Sequence, residues 1–224
     1  MKKKIVVVGG KGKMGSEVAE VLKNDYFIIC VGKDDLWCDF KADLVIDFGS
    51  AESSVMSANY CLKNKVPLIV GSTGQSQKEI KQIKKVATVA PLVLCANFSV
   101  GMVLVCECIK RVLKADIDDV CVFEKHHRNK KDIPSGTAKS LVSLIDSEWS
   151  RSPQIIAERG GKEIGTHKID FYFGEELISI SHQAFSRKAF AFGVELAVRY
   201  IFEKGEVGLI DFCDVVKQKF GLKF

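Results

Sequence analysis

Short, wholly apolar runs recur along the first hundred residues, separated by stretches whose apolar positions repeat at helical spacing. Ile5–Val8, Phe27–Val31, Leu44–Phe48, Leu68–Val70 and Leu92–Cys95 are the strand-like runs, as expected of strands buried on both faces. Between them, Ser16–Lys23 places Val18, Val21 and Leu22 on one helix face. Ala51–Lys63 and Gln75–Val86 also read as helices, the latter with Ile80, Ile83 and Val86 or Ala87 in phase. Such alternation predicts an α/β fold with a Rossmann-like, doubly wound parallel sheet whose ligand lies at the strands' carboxyl ends. Beyond Asn97 the pattern changes. A helix at Val100–Lys114 begins after Ser99, followed by a strand at Val120–Glu124 and a helix from Ser135. Strands near Ile155–Arg159, Thr166–Phe173 and Leu177–His182 read as an antiparallel set, with Gly174-Glu175 as hairpin turn. Helices are predicted at roughly Phe190–Glu203 and Glu206–Phe220. The chain thus divides into a first domain over residues 1–97 and a smaller α+β domain over residues 98–190.

Gly9, Gly10, Gly12 and Gly15 follow the first strand at once and lead into a helix. Strand, glycine turn and helix are the setting of a dinucleotide fingerprint, although Lys11 stands where the second glycine of G-x-G-x-x-G is usual. In that setting pyrophosphate binding is favoured over a merely structural turn. The second strand runs into Gly32-Lys33-Asp34-Asp35. Lys33 suits a 2′-phosphate and so NADPH, which is the favoured reading; Asp34 would instead suit a free ribose hydroxyl and so NADH. A solvated turn charge is the plain alternative.

The most chemically loaded stretch is Glu124–Lys139, EKHHRNKKDIPSGTAK. Histidine exchanges protons near neutral pH, Lys130 adds positive charge, and the helix start at Pro134-Ser135-Gly136-Thr137 offers N–H groups to an anion. A basic loop followed by an ordinary Ser135 cap is the bland reading of the same residues. His182 alternates with Ile178 and Ile180, and His167 with Ile169, Phe171 and Phe173, so both read as structural histidines. Arg159 also reads as structural, and Arg187 sits just past a strand, where a contact with cofactor or the domain junction is as good a reading as none.

Composition adds bounds. Hydrophobic residues make up 47% and charged residues 27% of 224 positions, with a net charge of +5, which suits a soluble enzyme with anionic ligands. The basic residues Arg128, Lys130 and Lys131 are few and lack interleaved aromatics, which argues against nucleic acid. Lys2-Lys3-Lys4 leads straight into the first strand, with no apolar stretch long enough for a signal peptide or membrane span, so a cytoplasmic location is expected. Eight cysteines without a C-x-x-C pair read as reduced core thiols, with no metal expected.

With Gly71-Ser72-Thr73-Gly74, Ala96-Asn97-Phe98-Ser99-Val100-Gly101 and the His-His segment assembled, the chain resembles the dihydrodipicolinate reductase family, also called 4-hydroxy-tetrahydrodipicolinate reductases. The signature E-x-H-H-x-x-K-x-D-x-P-S-G-T-A is matched from Glu124 to Ala138. Arg159-Gly160-Gly161 through His167, and His182 through Ala191, fit as well. The resemblance implies hydride transfer from NADPH or NADH to a small cyclic dicarboxylate in lysine and diaminopimelate biosynthesis. His126 and Lys130 would be the acid–base residues, His127 a substrate contact, and Gly136 with Thr137 the holders of a substrate carboxylate. Gly9, Gly10, Lys11, Gly12, Lys13 and Met14 would hold the pyrophosphate. Gly71, Ser72, Thr73 and Cys95, Ala96, Asn97, Phe98 would lie on the nicotinamide side. The resemblance further implies that residues 191–224 complete the first domain, and that the second binds substrate and assembles a homotetramer. Three departures stand out: a compressed segment after the second strand, Asp47-Phe48-Gly49 for Asp-Phe-Thr, and Ser72 for the first threonine of Gly-Thr-Thr-Gly. Outside this resemblance, a non-catalytic NAD(P)H sensor or a reductase of another small carboxylated imine would use similar parts.

Overall fold

The computed structural model describes residues 1–32 and 41–222. They form two compact units, Met1–Phe98 together with the chain from Phe190 onward, and Ser99–Ala189. In the first, β1 (Lys4–Val8), α1 (Lys13–Leu22), β2 (Phe27–Val31), β3 (Leu44–Asp47), α2 (Ala51–Asn64), β4 (Leu68–Val70), α3 (Gln77–Lys84) and β5 (Pro91–Leu94) alternate. Every pairing among these strands is parallel. β1 has β2 on one side and β3 on the other, then β4 and β5. The chain therefore reverses its direction of travel between β1 and β3, the switch point where such sheets bind ligands. Val6, Val8, Val45, Leu68 and Leu92 pack with Ala58, Cys61 and Ile83 from the covering helices.

The second unit runs α4 (Val100–Val112), β6 (Asp119–His126), α5 (Gly136–Glu148), β7 (Gln154–Arg159), β8 (Gly165–Phe173) and β9 (Glu176–Ala184). Its sheet has the order β7-β6-β8-β9. Expectation and structure part here. β7 does not join β8 and β9 in an antiparallel set; it pairs parallel with β6, from Cys121 opposite Gln154 to His126 opposite Arg159. The reason is the connection. An α-helix between strands returns the chain to its starting end, which makes the next strand parallel. β8 and β9 do form the antiparallel hairpin, with Gly174 at φ 51°. Leu141 and Ile145 of α5 pack on Val120, Val122, Ile169 and Phe171 beneath Ile109 of α4.

α6 (Lys188–Lys204), β10 (Gly208–Ile210) and α7 (Phe212–Phe220) end the chain. The helix expected from Glu206 starts later, because Gly208–Ile210 adds a parallel strand beside β5. Asp211 then caps α7, accepting the Cys213 N–H at 2.8 Å. The described cysteines are free thiols, but Cys30 is exposed rather than in the core because β2 is an edge strand. No helix among the described residues is long and apolar enough to cross a membrane.

Gly193 of α6 is packed so closely that an added Cβ would overlap the Phe98 carbonyl oxygen, with Phe212 3.0 Å away. Since that neighbour is backbone, Gly193→Ala is expected to cost about 2 kcal/mol or more. For a chain of this length that lowers the melting temperature by roughly 4–8 °C. An unchanged melting curve would show that α6 slides away at no cost.

Candidate active site

On β6 the buried face reads Val120, Val122, Glu124, His126. Period-two alternation carries one core-facing line from two valines into a carboxylate and an imidazole. α5 covers the apolar part of this line and starts beside its polar end. Glu124 and His126 are 2% and 5% exposed. An acid that deep needs partners, since an unpaired buried charge costs several kcal/mol. Glu124 Oε1 accepts from Arg159 Nη2 at 2.7 Å and from the Ser135 N–H at 3.1 Å. Its Oε2 lies 2.6 Å from His126 Nδ1. Neither atom has a hydrogen bond among the described residues, and the contact becomes an ion pair only when the ring is protonated.

Both neighbouring strands feed this point. Pairing with β7 sets Arg159 opposite His126, and pairing with β8 sets His167 opposite Glu124. The His167 ring meets that of His126 edge-on, with centroids 5.2 Å apart. Gly165 leaves room for His126, because a Cβ there would stand 2.8 Å from Nε2. Ser135 caps α5 through the Ala138 N–H at 3.1 Å and also lies 3.4 Å from His167 Nε2. Burial pushes the His126 pKa down, Glu124 pulls it up, and Lys130 and Arg159 push it down again, for a net lowering. Burial and the nearby His126 bring His167 down to about 4, against the pull of Glu124. Burial alone would raise Glu124, but Arg159, Ser135 and His126 hold it below the usual carboxylate range.

The loop to α5 carries the other expected residues. His127 is half-buried, its N–H bonded to the Glu163 carbonyl at 2.8 Å, and the Lys130 N–H closes a turn on His127 O at 3.1 Å. Lys130 Nζ lies 2.8 Å from Asp132 Oδ1. Gly136 and Thr137 form the first turn of α5, behind Ser135. The Glu124–Ala138 segment therefore gathers imidazole, ammonium and helix start within one unit. Sequence reasoning had given Glu124 no role and had set Arg159 and His167 aside as structural. The signal was present: Glu124 and His126 share the phase of Val120 and Val122. Glu124, His126 and His167 bring donor atoms within 4.8 Å of one another, the spacing of metal ligands. Arg159 already supplies positive charge to Glu124 within this cluster.

In the first unit the remaining candidates line the carboxyl ends of parallel strands: Gly9–Met14 after β1, Gly71–Thr73 after β4, Cys95–Phe98 after β5. Gly9 has φ 73°, and an added Cβ would meet Phe48 and Gly49 backbone at 2.8 Å. Gly12 starts α1 without a side-chain cap, which leaves the first-turn N–H groups to an anion, as a pyrophosphate cradle requires. The residues fit the group. Asp47, wholly buried at the end of β3, accepts from the Gly49 N–H at 3.0 Å and from Ser53, Ser54 and Ser57 hydroxyls at 3.2, 3.3 and 2.6 Å. Ser54 in turn contacts Ser72, and Gln75 Nε2 donates to Ser72 O at 3.1 Å. This network pins the Gly71–Gln75 loop to the sheet. Ser50, which follows Gly49, caps α2 through its hydroxyl. Lys33, and Asp34 with it, lies outside the described residues. His182 Nε2 is 3.1 Å from Ser99 Oγ, a hydrogen-bonded histidine.

A parallel sheet with a glycine turn at its switch point, in a chain whose other unit holds an acid–base cluster at a helix start, defines the nucleotide-dependent α/β oxidoreductases. The family can be stated too. The patterns described as dihydrodipicolinate reductase, N-terminus and C-terminus, match residues 27–98 and 101–216, and the chain belongs to that family. A 4-hydroxy-tetrahydrodipicolinate reductase of Thermosipho africanus is 33% identical over 217 residues, covering 96% of this chain and 98% of that one. Its counterpart in Caldanaerobacter subterraneus is 30% identical over 248 residues, covering 96% and 98%. The fold is shared with a dipicolinate-bound dihydrodipicolinate reductase from Paenisporosarcina sp. TG-14, at a TM-score of 0.78, 21% identity, and 94% and 98% coverage. A nicotinamide nucleotide is the cofactor of this class.

His167 titrates well below the 6.5 of an unfolded histidine, so the unfolded chain takes up its proton first. Stability contributed by the neutral ring is complete above pH 6.5 and lost as pH falls from there toward about 4. The loss amounts to at most about 3 kcal/mol. His167→Asn should flatten the unfolding free energy between these pH values; an unchanged slope would assign the dependence to other groups.

Proposed function

We propose that this chain converts 4-hydroxy-tetrahydrodipicolinate, the cyclic product of pyruvate and aspartate semialdehyde, to tetrahydrodipicolinate: the 4-hydroxyl leaves as water, and one hydride and one proton are added. The carrying observation is the Glu124–His126 pair buried beside Lys130 and the α5 start, in a chain of this family. When bound, the reduced nicotinamide supplies the hydride. Gly9–Met14 would hold the pyrophosphate, with Gly71–Thr73 and Cys95–Phe98 toward the nicotinamide. The N–H groups of Gly136 and Thr137 bind one substrate carboxylate, Lys130, an acid–base residue with His126, adds its positive charge to that carboxylate, and His127 contacts the substrate. Fixed donors of this kind stabilise developing negative charge without reorganising at the moment of reaction.

His126 gives the proton that completes reduction. Glu124 lies on its Nδ1 side, which leaves Nε2, on the side of the side-chain-free Gly165, as the proton-bearing atom. In the free protein burial, Lys130 and Arg159 keep the imidazole mostly neutral at pH 7. A bound dianion favours the charged form, so substrate arrival loads the acid that the reaction consumes. NADPH or NADH serves as donor, the choice resting on Lys33 and Asp34. The exposed Leu177 and Ile178 on the outer strand β9 support a homotetramer assembled through this sheet.

Assaying nicotinamide oxidation with freshly condensed substrate, one nucleotide at a time, tests the activity; tight nucleotide binding without turnover would turn the reading toward a sensor. His126→Gln and Lys130→Ala are each expected to lower kcat by about a hundred- to ten-thousand-fold with nucleotide affinity retained. Wild-type turnover in either removes that residue from the chemistry. The wild-type pH profile should lose kcat/KM, which reports the free protein, at lower pH than it loses kcat, which reports the substrate complex. Coincident limbs would mean that substrate does not load the acid.

A further inference from the structure

Between His126 and α5, one acid engages two donors. Asp132 Oδ1 lies 2.8 Å from Lys130 Nζ, and Asp132 Oδ2 accepts the Gly136 N–H at 3.3 Å. A single carboxylate thus spans an ammonium and a first-turn amide. Those are two of the three groups to which the proposed function, on which this inference rests, gives a carboxylate of the substrate. We propose that Asp132 is an internal stand-in for that substrate carboxylate: it fills the anion subsite while substrate is away and is displaced when substrate binds.

The chemistry of the contact matches that of the ligand: same functional group, same two donors, one oxygen on each. Its strength suits an occupant that leaves. The Asp132 side chain is 49% exposed and that of Lys130 is 26% exposed. Exposed ion pairs are weak, and 3.3 Å is long for an N–H···O bond. Glu124, in the same segment, is the opposite case, with a side chain at 0% exposure and Arg159 locked on it. Arg159 also reaches the other acid, but through its backbone, since Nη2 donates to the Asp132 carbonyl. The main chain at Asp132 is therefore held while its carboxylate can swing out by side-chain rotation alone. Without such an occupant Lys130 and the Gly136 N–H would face any passing anion. With it, an incoming ligand binds with its affinity reduced by the fraction of molecules in which the subsite is open.

A loop brace and a stand-in predict opposite signs. Asp132→Asn keeps an acceptor for the Gly136 N–H but carries no charge for Lys130; Asp132→Ser removes both contacts. For a stand-in, the full-length variants with saturating nicotinamide nucleotide bind dipicolinate about two- to fivefold more tightly than wild type, the range an exposed ion pair allows. The KM for substrate falls in parallel. Calorimetric titration showing equal or weaker binding in both variants overturns the proposal, because loss of a brace can only loosen the site. A crystal structure with dipicolinate in which Asp132 still touches both Lys130 and Gly136 overturns it equally. Failure of the parent reading is separable: wild type would then neither bind dipicolinate nor oxidise the nucleotide with substrate.

Discussion

The second unit is organised around one desolvated carboxylate. Glu124 lies under α5 at 2% exposure, and a carboxylate so placed is tolerable only with compensating positive charge and hydrogen bonds. Meeting that demand determines much else. β7 has to run beside β6 so that Arg159 arrives at the right height. α5 has to start where the Ser135 N–H can donate, and His126 has to share the strand face of the acid. The same constraint places the imidazole with its Nδ1 side 2.6 Å from the carboxylate.

The first unit solves a similar problem with different means. Asp47 is as deeply buried, yet its partners are three serine hydroxyls and a backbone N–H rather than a cation. Burial raises its pKa, and the hydroxyls only partly oppose this. Neutral donors give orientation without concentrating charge, which suits a residue that shapes a loop. Through Ser54, Ser72 and Gln75 the acid fixes the segment after β4, one of three that rim the carboxyl ends of the sheet. Charge is thus gathered around Glu124 in the second unit and kept away from Asp47 in the first.

Much of this is legible in the sequence. The strand–helix alternation of the first hundred residues, the glycine turn and the Ser135 cap are local patterns, and local patterns report local conformation. The misreadings concern pairing. Ile155–Arg159 has the look of a strand, but nothing within it says whether its neighbour is β6 or β8. That depends on a helical connection returning it to the far side of β6. Gly208–Ile210 was absorbed into a helix because three residues carry too little periodicity, and its strand character comes from the free edge of β5. Cys30 was assigned to the core from its apolar neighbours, whereas β2 turned out to be an edge strand.

The Glu124–Ala138 segment shows where the division falls. Its order of acid, imidazole, ammonium and helix start lies within fifteen residues, so chain connectivity alone keeps those groups close, and the sequence by itself determined that a proton donor and an anion cradle would be neighbours. The partners that hold the donor in place come from Arg159 and His167, more than thirty residues downstream. Their position depends on strand order and register, and a shift of one residue would turn either side chain to the opposite face of the sheet. Only the folded sheet decides that, because register is set by all strands packing at once rather than by any segment alone.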